Sequence, residues 1–441
     1  MSLIYGIYTR GGKAMNTLRG LCAELGCTAP EKIDEYVRRF YDGDIPRLCD
    51  MDRLVRWYDM DIPGVRALLR LYIEEFTALF TSNGLYRVYA SVPCPTIIPA
   101  ALNSTGKVSV HTAEFCAMIT LQGILGQPPP SSGHCWNSRC AMLENRRGFV
   151  EAGIIPRPQL MWSFGLLCDE CCKTDELIHD CDGVGQMNSF CAKPYDAMRF
   201  VRYEEELRTS LEYICVQSGA ALPQTKGIRD TTNKAAILAA AICCSNASAT
   251  RPPLKAGTVA LIQTSQLMAF QNMSALVDVL EDIRRDMRHI DRAGAGAMEK
   301  LYTYYIPPCI PELGAVYADN GICLAGSAAF ITCPVQCMHA KDIAGMAAAS
   351  WDASILSRSS TDYVRETART IKKYNCMGYL NGMFGFDRWL GTAHRLTDGE
   401  IARLTGKPVF QCSTDFWGRG FNLSKIETLA ETMAYLLRAG R

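Results

Sequence analysis

Two cysteines bracket the stretch best equipped for chemistry, Cys135 and Cys168, in CWNSRCAMLENRRGFVEAGIIPRPQLMWSFGLLCDECCK, residues 135–173. Thiolates ligate iron and zinc when several of them converge. Cys135 precedes a charged, helix-like segment over 141–151. A turn at Gly153 and Pro156 follows, and then a strand over 159–167 that ends at Cys168-Asp169. In α/β proteins the start of such a helix and the end of such a strand both face the crevice where ligands bind. Two thiols in those positions either hold a metal or pack as small apolar side chains, the commoner fate of a free cysteine. Spacing leaves both open, because the CxxC formed by Cys168 and Cys171 has no second pair at zinc-ribbon distance.

Other candidates are weaker. Cys333, Cys337 and His339 form CxxxCxH, with the two thiols on one face if the segment is helical. Pro334 fits only near its first turn, and no fourth ligand is identifiable. Buried thiols are the alternative there. Cys171, Cys172, Cys181 and Cys191 thicken the chain after Cys168. His179 reads as a surface histidine at a helix end, where its partial charge suits the dipole. No GxxxxGK[ST] occurs, and RAGAGA at 292–297 follows a helix, not a strand, so no nucleotide-phosphate turn is expected.

The order Cys135, Asn145 to Val150, Gly153-Ile154-Ile155-Pro156-Arg157-Pro158, Leu160 to Leu167 and Cys168-Asp169 resembles the 2-hydroxyacyl-CoA dehydratase / benzoyl-CoA reductase family, specifically its longer subunit. The C-terminal run Gly406-Lys407-Pro408-Val409, Asp415, Arg419, Ser424-Lys425-Ile426 and Glu431 resembles that family's ending, so the likeness extends from about Val92 to the C-terminus. It implies an oxygen-sensitive, anaerobic enzyme subunit that binds a [4Fe-4S] cluster through Cys135 and Cys168. It also implies an acyl-CoA substrate, a homologous smaller subunit as heterodimer partner, and a separate ATP-dependent activator protein that injects one electron. The reaction would be dehydration of a (R)-2-hydroxyacyl-CoA through a ketyl radical, or reduction of an aromatic acyl-CoA.

The sequence departs from that family in two places. Where members often carry an acidic residue after the first strand, this chain has Thr96-Ile97-Ile98-Pro99-Ala100. Where the third cluster cysteine is expected, it has Asn381-Gly382-Met383-Phe384-Gly385-Phe386-Asp387, with Phe384 at about the thiolate position. No cysteine lies between Cys376 and Cys412. Three readings follow. Cys376 supplies the third ligand from the start of a strand, or Asp387 supplies an oxygen, or the chain is a cluster-free or atypical paralogue that scaffolds a catalytic partner. Misalignment, or recruitment of Cys140, Cys171, Cys172, Cys333 or Cys337, is the remaining route.

Composition bounds the rest. The 441 residues suffice for two or three domains. With 46 basic and 45 acidic residues, there is no electrostatic footprint for nucleic acid or an anionic membrane. The N-terminus MSLIYGIYTRGGKAMN lacks an apolar segment with a cleavage site, and no uncharged run of 18 apolar residues occurs. The 21 cysteines therefore read as free thiols in a cytoplasmic protein. Alternating strands and helices predict an α/β fold with two Rossmann-like or flavodoxin-like parallel-sheet domains. The expected division is an N-terminal helical region over 1–85, a first α/β domain over 86–250 and a second over 251–441. Strands are expected near 87–92, 108–110, 159–167, 315–319, 376–380 and 407–412, with 321–326 as a loop.

Overall fold

Strand β1 (Tyr86–Ala90) sorts its side chains by the two-residue period of a strand. Val88 and Ala90 enter one apolar cluster and Tyr89 enters another on the opposite face. The computed structural model describes residues 18–41, 51–126, 141–165, 170–190, 198–290, 298–307, 309–328, 340–354, 357–381, 388–412 and 423–439. Within them the protein is α/β, with two four-stranded parallel sheets. The first joins β1 to β2 (Val108–His111), β3 (Leu160–Gly165) and β4 (Gly185–Phe190) in the order β2-β1-β3-β4. The second is built from β5 (Glu299–Thr303), β6 (Ile322–Ser327), β7 (Gly378–Asn381) and β8 (Val409–Gln411) in the order β6-β5-β7-β8. Both sheets therefore have the same topology, the flavodoxin-like order whose direction of growth reverses beside the first strand.

Helices cover both faces of the first sheet. Leu160, Trp162 and Phe164 of β3 pack with the helices Ile97–Asn103, Arg199–Ser218 and Ile343–Ala353. The last of these lies after β6 in sequence, so the second half of the chain reaches back onto the first sheet. Arg199 seals that crossing by donating to the Ser357 carbonyl at 3.1 Å. On the opposite face the N-terminal helices are held by the Pro63–Thr81 helix. Its Val65, Leu68, Leu69, Tyr72, Ile73 and Phe76 are all fully buried.

Two expected elements exchange roles. The run Ala315–Asp319 is not a strand but the end of a helix, Glu312–Asp319, and residues 321–326 are not a loop but most of β6. Pro311 starts the helix, Leu313, Val316 and Tyr317 share one face of it, and Gly321 reverses the chain with φ 77°. A short, wholly apolar run has no periodicity to separate buried helix from buried strand. Two strands lack a sequence signal altogether. β4 is GQMNSF, and β5 is EKLYT, buried at all five positions despite its charges.

No helix among the described residues is long and apolar enough to cross a membrane. The Pro63–Thr81 helix packs closely against the Met273–Asp286 helix, and a Cβ on Gly64 would lie 2.7 Å from both the backbone N and Cγ1 of Ile283. Gly64→Ala is expected to cost about 2 kcal/mol in urea unfolding through this overlap. Gly399→Ala, in an exposed helix position with open space around its Cβ, should be neutral or slightly stabilising.

Candidate functional site

In each sheet the topological switch lies between the first and third strands, at their carboxyl ends. In the first sheet Ser91 stitches that point together. Its N–H donates to the Trp162 carbonyl at 2.9 Å, and its Oγ accepts from the Phe164 N–H at 2.9 Å. The chain then turns through a cis Val92–Pro93 bond to Cys94, whose burial pushes its thiol pKa well up. Thr96 and the apolar helix Ile97–Asn103 follow, both buried. This corner supplies no acid or base.

Cys135 and Cys168 lie outside the described residues, as do Cys140, Cys191, Cys333, Cys337, His339, Phe384 and Asp387. The elements that flank the first two are described. The Ala141–Glu151 helix begins six positions after Cys135 and returns through Gly153 (φ 64°) into β3. β3 stops at Gly165, and the Glu170–Asp182 helix begins two positions after Cys168. A helix that leads into a strand of a parallel sheet runs antiparallel to it. Its first turn and the end of β3 therefore belong to the same, carboxyl edge.

Arg146 locks these elements together. Its Nε donates to Asp175 Oδ1 at 2.7 Å and its Nη2 to Asp175 Oδ2 at 3.0 Å. Nη1 donates to Glu114 Oε1 and Oε2 at 3.2 and 3.1 Å, and Nη2 also donates to the Tyr89 carbonyl at 2.9 Å. These bonds occupy all five N–H donors of the guanidinium. Asp175 belongs to the helix after Cys168, Glu114 to the Ala113–Met118 helix, and Tyr89 to β1. The three charged side chains are 0–1% exposed. Burial by itself lowers the Arg146 pKa, but Asp175 and then Glu114 outweigh it and raise that pKa. Burial raises the Glu114 carboxyl above its usual 4.5, with Arg146 pulling the other way.

Cys376 occupies a different kind of position. It sits after the Ser360–Lys373 helix and before β7, with its N–H donated to the Ile371 carbonyl at 2.9 Å. That is the amino edge of the second sheet. At about 3.3 Å per residue, the strand puts roughly 17 Å between Cys376 and the carboxyl edge at Asn381. Burial pushes the Cys376 thiol up to about 11, opposed by Lys300, whereas a metal-bound thiol must be deprotonated. Among the described residues no group of three or more His, Cys, Asp or Glu side chains converges as a metal site. The described residues do not by themselves fit an iron–sulfur cluster. Cys171 is buried on its helix and Cys172 half-buried. His179 is exposed near the end of the same helix, with Nδ1 2.7 Å from the Val184 carbonyl oxygen.

Two polar groupings escape sequence reading. At the carboxyl ends of β7 and β8, Asp398 accepts from Asn381 Nδ2 and, at 2.6 Å, from Gln411 Nε2, and burial raises its pKa. Asp398 therefore ties β7 to β8 near the second switch point. Elsewhere Ser109 Oγ lies 2.7 Å from His111 Nε2, and His111 Nδ1 lies 3.0 Å from Glu75 Oε1. The order is that of a nucleophile, base and acid, but their exposures of 1, 0 and 4% deny access to substrate. The trio ties β2 to the Pro63–Thr81 helix. Ser109 and His111 share one face of β2, but Glu75 is 36 positions from His111, and Asp398 is 17 and 13 positions from Asn381 and Gln411, so no local spacing reveals either full grouping.

Compared with known proteins, the chain matches no family model and no curated protein.

Arg146→Met would leave two buried carboxylates without a cation. It is expected to cost about 3–5 kcal/mol in urea unfolding at pH 7. Glu114, whose carboxyl pKa burial raises, contributes fully below its unfolded value and loses that contribution as pH rises through its folded one. The deficit of the variant should therefore shrink toward pH 4.

Proposed function

We propose that the chain is one subunit of an oxygen-sensitive iron–sulfur enzyme that acts on acyl-CoA thioesters by low-potential one-electron chemistry, as a (R)-2-hydroxyacyl-CoA dehydratase or an aromatic acyl-CoA reductase. It works in the cytoplasm with a homologous smaller subunit and a separate ATP-dependent activator. The observation that supports this most is the Arg146 clamp at the carboxyl edge of the first sheet, which binds the flanks of Cys135 and Cys168 to one another. Chemistry of this class needs an edge from which water is excluded. Met161, Trp162 and Phe164, each 0–1% exposed beside that edge, suit it. In this reading Cys135 and Cys168 hold the [4Fe-4S] cluster.

The position of Cys376 favours a second reading. A third ligand at the opposite edge of the other sheet is poorly placed to complete the same cluster, which supports a cluster-free or atypical subunit that scaffolds a catalytic partner.

Iron and acid-labile sulfide per chain, measured on protein purified without oxygen, separate the two. The enzymatic reading expects about four of each. Cys135→Ser and Cys168→Ser should abolish both, while Cys376→Ser should retain them. Folded wild-type protein with iron near zero rejects the enzymatic reading in favour of the scaffold.

A further inference from the structure

The Thr225–Ser248 and Ser360–Lys373 helices leave between them a cavity of about 430 Å³ against β5 and β6. That volume is typical of a small-molecule site. Its walls are small and apolar, chiefly Ala236, Ala239, Ala240 and Ala328. The two ends differ in chemistry.

Gln263 stands in the lining, 4% exposed. Its Oε1 accepts from Ser327 Oγ at 2.6 Å, but its Nε2 has no hydrogen-bond partner. A buried amide left with both donors unmet costs about 1–3 kcal/mol, which an acceptor in the cavity would recover. Arg358, Arg369 and Lys373 line the cavity from exposed positions. Arg369 is engaged by Glu366 at 2.6 Å. Arg358 and Lys373 have no carboxylate partner among the described residues; Lys373 Nζ lies 5.2 Å from the Tyr374 ring centroid, and both cations can meet an anion at the mouth.

We propose that this cavity binds a small organic anion, with its charged end at Arg358 and Lys373, an apolar body along the alanine wall, and a carbonyl-type acceptor at Gln263 Nε2. The site is separate from the carboxyl edge of the first sheet and does not depend on the function proposed for that edge.

Calorimetry on the full-length protein with 6-oxoheptanoate tests it, because that probe carries both groups at opposite ends of an apolar chain. Heptanoate lacks the deep acceptor and 2-heptanone lacks the charge, and each should bind about tenfold more weakly. 5-Oxohexyl phosphate distinguishes phosphate from carboxylate at the mouth. Gln263→Met should lower 6-oxoheptanoate affinity to that of heptanoate and leave heptanoate unchanged. Arg358→Gln and Lys373→Gln, both surface changes, should weaken the anions and spare 2-heptanone. Cys244 is exposed and lines the cavity. Bound 6-oxoheptanoate should therefore slow its alkylation, read by peptide mass, without slowing that of Cys172. This last readout needs no variant and stands if Gln263→Met fails to fold. The proposal is overturned if neither anion binds more tightly than 2-heptanone, or if Cys244 alkylation is indifferent to 6-oxoheptanoate.

Discussion

A guanidinium with 1% exposure is tolerable only if every donor is met and its charge is answered, and Arg146 satisfies both conditions with partners from three separate elements. The consequence reaches beyond one ion pair. Glu114 follows β2, Tyr89 lies in β1, and Asp175 follows β3, so the cation can be satisfied only when the sheet and its connections are assembled in this one way. A buried charge of this kind adds little net stability compared with an apolar core. It penalises every alternative arrangement, because each leaves a charge stranded. The carboxyl edge of the first sheet is therefore held by an all-or-none contact and not by graded apolar packing.

Other cations, one buried and two half-buried, act at helix ends. Lys300, inside β5, donates to the carbonyls of Ala247 and Ala249 at 3.2 and 3.1 Å and so closes the Thr225–Ser248 helix. Lys255 donates to the Val55 and Tyr58 carbonyls at the end of the Met51–Trp57 helix. Arg53 donates to the carbonyls of Gln122, Gly123 and Ile124, where the chain widens into a π turn. The last carbonyls of a helix have no partner within it and carry its negative pole, so a cation from a distant segment satisfies both the hydrogen bond and the field. In this protein such contacts link the N-terminal helices, the two sheets and the long connecting helix into one framework.

How legible the fold was depended on whether a residue's neighbours lie near it in sequence. The Leu423–Ala439 helix could be read because Ile426, Met433 and Leu437 repeat at helical spacing and are buried, although Leu436, expected on the same face, is 48% exposed. β3 could be read from its apolar and aromatic run. β5 could not, since Glu299 and Lys300 look like solvated charges until the carbonyls of Ala247 and Ala249 are brought to Lys300. The exchange between residues 315–319 and 322–327 has a related cause: Ala315, Val316 and Tyr317 are buried in succession, as is most of β6, and consecutive burial removes the polar punctuation from which periodicity is read.

By itself the sequence determined the class of the molecule: alternating strand and helix patterns, balanced charge, abundant free thiols, and the pair Cys135 and Cys168 at positions that flank a helix start and a strand end. Those properties are local, written in periodicities of two and 3.6 residues and in composition. Only the tertiary structure decided that both sheets share one strand order, that Cys376 lies at the amino edge of its sheet, that Arg146 joins Glu114 to Asp175, and that Gln263 faces a cavity with an unused donor. Each of these is a relation between residues tens to hundreds of positions apart. Such relations are fixed by the requirement that buried polar groups find partners, and no window along the chain contains both members of the pair.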